Sequence, residues 1–331
     1  MPATLMAHWC RGDKRTRGSV ASTGGASYRN RAMRGLRAAT RTSLVLCLLL
    51  SFGGVARAAT DPWLDVVRDF APGAFAGFGH TELPWIVLGP PVPGGLTQGS
   101  TDVASLGNGG VIEVSFRDNI VFDGPGDDLV IFENAFHIGS PSGDLFTEYA
   151  YVEVSLDAST WTRFPFDPVT GEGLAGRSAV LPEPLDPLDP AAGGDRFDIG
   201  ALGLEFVRHI RLIDAGAEID DVGNHVAPAN QGGFDLDAAA AVHSTPPAVV
   251  TGVVALGSEP VARALVRLVP LDGGRRKRRR TDAEGRFEFA NVVPSGDYRV
   301  RARRRDVGVA TAHVYLDLEQ LSADVELRLT P

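Results

Sequence analysis

Alternation of apolar and polar positions is the first regularity along the chain. Residues 111–116, VIEVSF, set Ile112, Val114 and Phe116 against Glu113 and Ser115. Residues 151–156, YVEVSL, set Val152, Val154 and Leu156 against Glu153 and Ser155. A period of two puts one face in a core and the other in water, so both stretches predict half-buried strands. The DAST turn that follows the second predicts a hairpin into Trp161. FVRHIRLI (206–213) and FDLDAAAAV (234–242) predict further strands, and LVIF (129–132) a short, wholly apolar one. Helical periodicity is weak, and Gly/Pro/Asp loops such as residues 182–190 and Gly193-Gly194 separate the strands. Short strands joined by long loops predict an all-β fold, with a jelly roll or β-sandwich over residues 59–243.

A Pro-rich hinge, STPPAVV (residues 244–250), closes that domain. Beyond it, apolar stretches at 249–255 and 264–271 are followed by GGRRKRRR, read as a basic turn, then TDAEGRFEF and NVVPSGDYRVRARR. In the last stretch Ala323, Val325, Leu327 and Leu329 share one face. About seven strands over residues 251–331 predict a small antiparallel β-sandwich.

The N-terminus belongs to targeting rather than to the fold. Residues 43–52, SLVLCLLLSF, are too short to span a bilayer, which takes about 20 apolar residues. Arg34, Arg37 and Arg41 precede the run, and Ala56-Arg57-Ala58 follows it as an A-x-A cleavage pattern. Residues 1–58 therefore read as a signal peptide cut after Ala58, and the product as secreted or held at a bacterial cell surface. Met33 lies at the usual signal-peptide distance of about 15–30 residues from the cut, so residues 1–32 read as an over-extended frame. Cys10 and Cys47 both precede the cut, which leaves core, turns or metal, not disulfides, to stabilise the rest. No second apolar stretch of spanning length follows, so no transmembrane segment is expected after cleavage.

Charge divides the chain again. Residues 59–247 carry 7 Arg, no Lys and 29 acids, a net of −22, whereas residues 248–331 carry 15 basic and 11 acidic residues, a net of +4. So acidic a first domain argues against nucleic acid as its partner and suits a calcium-rich exterior. Acidic solubility is the plainer reading.

The second domain resembles the carboxypeptidase regulatory-like family. Gly252-Val253-Val254, the ALVRLVPL stretch, Thr281 to Phe287 (TDAEGRF) and Pro294 to Tyr298 (PSGDY) carry the resemblance. It implies a transthyretin-like β-sandwich serving as a non-catalytic spacer or adhesion module. The first domain resembles jelly-roll domains of bacterial secreted surface proteins through DGPGDDLVIFEN, YVEVSLDASTW, GGDRFDIGALGL, FVRHIRLID and GGFDLDAAAAV. VEVSLDASTW with VRHIRLID is also similar to galactose-binding-like sandwiches. That likeness implies a carbohydrate-binding surface on loops or a concave face, often with a structural calcium.

Candidate chemistry centres on oxygen ligands, because calcium takes six to eight of them. The clusters are Asp123, Asp127 and Asp128; Glu133 and Asn134; and Asp235 and Asp237, with Asp195, Asp198, Asp214 and Asp220-Asp221 as further candidates. Five strand steps from Asp128 to Glu133 cover about 16 Å, so one ion does not bridge them. Asp235 and Asp237 are expected on one face, about 7 Å apart. The expectation is that Glu133/Asn134 or the acidic turn meets Asp235/Asp237 around a calcium ion. The alternative is an Asx-type turn at 123–128 and a solvated face at Asp235/Asp237. Trp85 and Trp161 are candidates for stacking on sugar rings of a polysaccharide or other envelope component. Paired acids leave glycoside hydrolysis open as the alternative function. No nucleophile elbow, zinc motif, phosphate loop or catalytic cysteine is present to favour other enzymes. RRKRRR (275–280) reads as a solvated loop or as a site for anionic polymers.

Overall fold

The computed structural model describes residues 61–92, 94–181, 186, 188–216 and 232–330. The signal-peptide reading and Asp220-Asp221 lie outside the described residues. The described chain is all-β, and its helical pieces are single 3-10 turns. None of the described helices is long and apolar enough to cross a membrane.

The first domain is built on two antiparallel sheets. One runs Val66–Ala71, Val111–Ser115, His209–Asp214, Ala150–Ser155 and Leu174–Ala175, with Thr162–Arg163 also on Ala150–Ser155. The other runs Asp195–Phe197, Leu129–Glu133, Asp235–Ala241 and Ala104–Ser105. A three-stranded ribbon of Phe206–Val207, Ile120–Phe122 and Ser244–Thr245 closes one end. FVRHIRLI is therefore two strands, because the chain changes partners at Arg208.

The period-two residues do what the alternation demands. Ile112 and Val114, Val152 and Val154, and Ile210 and Leu212 meet Leu129, Ile131, Leu236 and Ala239 in one buried cluster. The polar residues between them form a ladder on the other face. Arg211 pairs in register with both Glu113 and Glu153. Its guanidinium donates to Glu113 Oε1 at 2.7 Å and to Glu153 Oε2 at 3.0 Å. Arg163 adds a second cation on Glu153 at 2.9 Å.

Leu129–Glu133 is buried on both faces, which is why it reads as unbroken apolar sequence. Leu129 and Ile131 enter the main core, while Val130 and Phe132 pack with Ala238, Ala240 and Val180 on the opposite side. The facing strand slips register between Leu236 and Ala238. Asp237 is the extra residue of a β-bulge there, so Leu236 and Ala238 fall on opposite faces although two apart. The regular alternation expected for Asp235 and Asp237 fails at this point.

The second domain is a sandwich of two four-stranded sheets, eight strands where about seven are expected. One sheet holds Glu259–Pro260, Ala248–Leu256 and Arg286–Val292, with Ser322–Arg328 parallel to Ala248–Leu256. The other runs Lys277–Arg280, Leu265–Pro270, Gly296–Arg304 and Gly308–Leu316. Phe287, Phe289, Val300, Leu316 and Leu327 fill the core between them. The basic run is not a turn. Gly273 and Gly274, at φ 108° and 97°, make the turn, and Lys277–Arg280 pairs with Leu265–Leu268 as an edge strand.

Candidate metal centre

Antiparallel pairing of Glu133 with Leu236 brings the end of the central strand to the start of the last one. Asn134 Nδ2 then lies 3.4 Å from Asp235 Oδ2. Ser105 Oγ donates to Asp235 Oδ1, and the Ser100 amide donates to Asn134 Oδ1. Glu133 continues the core-side row of Leu129 and Ile131, so its carboxylate enters the space between the sheets. It is 2% exposed, and its Oε2 has no hydrogen-bond partner among the described residues.

The other sheet supplies two more acids at the same level. Asp214 ends the His209–Asp214 strand opposite Ala150, and Glu148 precedes that neighbouring strand by two residues. Both are buried. Asp214 Oδ1 accepts from the Gly109 amide at 2.8 Å and Oδ2 from the Phe234 amide at 2.7 Å. Gly233, at φ 66°, makes the approach possible: a Cβ there would stand 2.6 Å from Asp214 Oδ2. This is the local reason for GGFDLD. Paired glycines let the chain fold tightly over one carboxylate just before it delivers Asp235.

The electrostatics are those of crowded, like charges. Burial, then the charges on Asp235 and Glu148, push the Glu133 carboxyl well above the usual carboxylate range. Burial, then Asp235 and Asp214, push Glu148 up to about 8, against a Gly233 amide that draws it down. Burial also raises Asp235, partly offset by the Ser105 and Asn134 hydrogen bonds. The neighbouring charges that act on these three groups are all carboxylates. Four acids that act on one another across the two sheets, with an amide and a hydroxyl beside Asp235, form a loose cage of hard oxygen donors, in which no three bring ligand atoms within 4.8 Å of one another. That donor set suits calcium rather than zinc.

The remaining expected residues lie elsewhere. Asp237 faces Val92, whose amide donates to both carboxylate oxygens at 3.2 Å. Burial and then the Asp102 charge raise it to about 7. Asp195 accepts from the Gly176 and Arg177 amides at 2.7 Å and from Ser178 Oγ at 2.9 Å, so its oxygens are engaged in turn structure.

Asp123 and Asp128 sit at the opposite end of the central strand. Asp123, Asp128 and Asp198 form a group whose ligand atoms lie within 4.8 Å of one another, closer than the cage acids stand as a set. Backbone amides engage both oxygens of Asp128 and one of Asp198, as they engage both oxygens of Asp214 in the cage. Asp128 accepts from the Gly124 amide at 2.8 Å, the Ile199 amide at 2.9 Å and lies 2.9 Å from His243 Nδ1. Asp198 caps a 3-10 turn through the Gly200 and Ala201 amides. Asp127 is exposed nearby.

Trp161 lies under the Arg211 guanidinium, 4.0 Å from its ring centroid, so one ring face is covered. Trp85 is 76% exposed. Sequence reasoning missed Glu148. Its signal was an acid at the mouth of an otherwise apolar strand, in FTEYAYV, where a solvated residue has no evident exit.

Residues 249–330 match the carboxypeptidase regulatory-like domain family. Two solved structures from Bacillus cereus are similar to the chain: the major pilin subunit BcpA and a variant of it. Identities are 11% and 10%, with TM-scores of 0.25 and 0.26. Each match covers 67% of this chain and 64% of the pilin, so the chain spans less than two thirds of those relatives. No curated protein matches the chain.

Proposed function

We propose that this chain is an exported, non-catalytic binding protein of the cell surface whose first sandwich is locked by a calcium ion. Glu133, Glu148, Asp214 and Asp235 would hold the ion, with Asn134 completing the donor set. The observation that carries this reading is Glu133 Oε2, buried without a partner and surrounded by other carboxylates. A buried acid in that position costs stability unless it is protonated or neutralised. A divalent cation neutralises several such groups at once and draws the cage oxygens closer together.

The regulatory-like domain serves as the spacer or adhesion module, and the first sandwich presents a loop surface to a polysaccharide or another envelope component. Trp85, open to solvent, is the aromatic available for stacking on a sugar. Glycoside hydrolysis is the weaker reading, because its acid and its base must flank an accessible bond. Glu133 and Glu148 are buried between sheets instead.

Thermal unfolding of the full chain with excess calcium and with chelator tests the metal. A ligand that binds only the folded state at a thousandfold excess over its Kd adds about 4 kcal/mol, which moves the midpoint by several degrees. Identical midpoints would remove the ion from the account.

A further inference from the structure

The second domain carries a charged face that the spacer role leaves unused. Direct cross-strand partners share a face, and side chains two apart along a strand do so as well. Arg267 pairs with Arg278 on one side and Arg301 on the other. Leu265 pairs with Arg280 and Arg303, and Val269 with Arg299. The inward row is apolar and buried: Val266, Leu268, Val300 and Ala302. Six arginines therefore stand outward on three adjacent strands, all of them exposed. Strand spacing sets their rows about 4.8 Å apart, and the two-residue repeat sets steps of about 6.7 Å along each strand.

None of the six is in an ion pair among the described residues, although Arg286, Arg305 and Arg328 of the same domain are. Along the outward positions of these strands and of Gly308–Leu316 the only carboxylate is Asp297, at one end. Like charges directly opposite one another across strands repel.

We infer that this arginine face is a binding platform for an acidic polysaccharide, a linear chain bearing carboxylate or sulfate groups. Charge complementarity selects a polyanion, and guanidinium forks match carboxylate and sulfate oxygens two at a time. The arginines stand on the face of a four-stranded sheet, whereas the elements that enter a major groove are a helix or a two-stranded ribbon. The rings on the face are Tyr315, beside Asp297, and His313, opposite Arg299, both on the edge strand, so no row of aromatics runs among the arginines for successive bases. What remains is a regular grid of anion forks, which fits a charged glycan better than a nucleic acid.

The test is binding of the full chain to polygalacturonate, with neutral dextran and a DNA duplex of matched charge as comparators. Arg267→Gln, Arg299→Gln, Arg301→Gln and Arg303→Gln are combined in one variant. Arg286→Gln, Arg305→Gln and Arg328→Gln form a control that also removes cations but leaves the grid intact. The expected result is saturable binding to polygalacturonate that falls steeply with salt, none to dextran, and a loss of about tenfold or more in the grid variant only. If the combined variant fails to fold, Arg301→Gln alone should weaken binding about two- to fivefold. Equal loss in the control variant, tighter binding to DNA, or binding indifferent to salt would each overturn the platform. So would salt-sensitive self-association that the grid variant abolishes, because a second copy would then be the occupant.

Discussion

Asn134 Nδ2 stands 3.4 Å from Asp235 Oδ2, tying the end of the central buried strand to the start of the last strand. That contact decides which end of DGPGDDLVIFEN meets the closing acids. It is the Glu133 end. The acidic turn lies at the other, where Asp128 holds the Gly124 and Ile199 amides.

Glu133→Gln separates the ion from the fold. The amide nearly keeps the volume and removes a buried charge that burial and its neighbours oppose. Without calcium the variant is expected to melt at or above the parent. Its calcium-induced rise should fall to less than half. Calorimetric melting with and without chelator checks both, and an undiminished rise would take Glu133 out of the site.

Stability should depend on pH in opposite ways with and without the ion. Glu148 has a folded value of about 8 against an ordinary 4.5, and Asp237 about 7 against 3.8. Both are raised, so the folded state binds more protons than the unfolded state through that window. Their stabilisation is fully present below about 4 and is lost as pH rises through 7 to 8. Melting in chelator should therefore worsen between pH 5 and 8, and excess calcium should flatten the decline. A flat profile in chelator contradicts the burial of these acids.

Asp128→Asn should act on the fold alone. It weakens acceptance of the Gly124 and Ile199 amides and the contact with His243, at a cost of about 2–3 kcal/mol. Denaturant unfolding should show this loss while the calcium-induced gain stays at the parent's value. A lost gain would move the ion to the Asp123–Asp128–Asp198 end.

Gly233→Ala tests the backbone that wraps the cage. With φ 66° and Asp214 Oδ2 2.6 Å from the new methyl, about 1–3 kcal/mol is expected to be lost. Calcium affinity should fall with it, since Asp214 must shift. Equal affinity for calcium in parent and variant would take Asp214 out of the donor set.

The sequence pattern reached the architecture because period two and strand length are local. Ile112, Val114, Val152 and Val154 announce their face within five residues, and the apolar LVIF run announces burial on both sides. The same strand length separated Asp128 from Glu133. The site itself is less legible, because it depends on pairing. The bulge at Asp237 is a register event between two strands far apart in the chain, and no residue near it marks the slip. Glu148 joins the cage only because its strand lies beside His209–Asp214. The basic run misled for a related reason: its charges suggested a solvated loop, yet an edge strand tolerates exposed arginines on its open side.

Calcium titration calorimetry on the chelator-stripped full chain, beside Glu133→Gln, tests the central claim most directly. At pH 7.5, run in two buffers of different ionisation heat, the cage should bind one calcium per chain. Binding should release protons from the raised acids, and Glu133→Gln should bind at least tenfold more weakly. Absence of saturable binding, or binding with no proton release and the same affinity in Glu133→Gln, would contradict a metal centre between the two sheets.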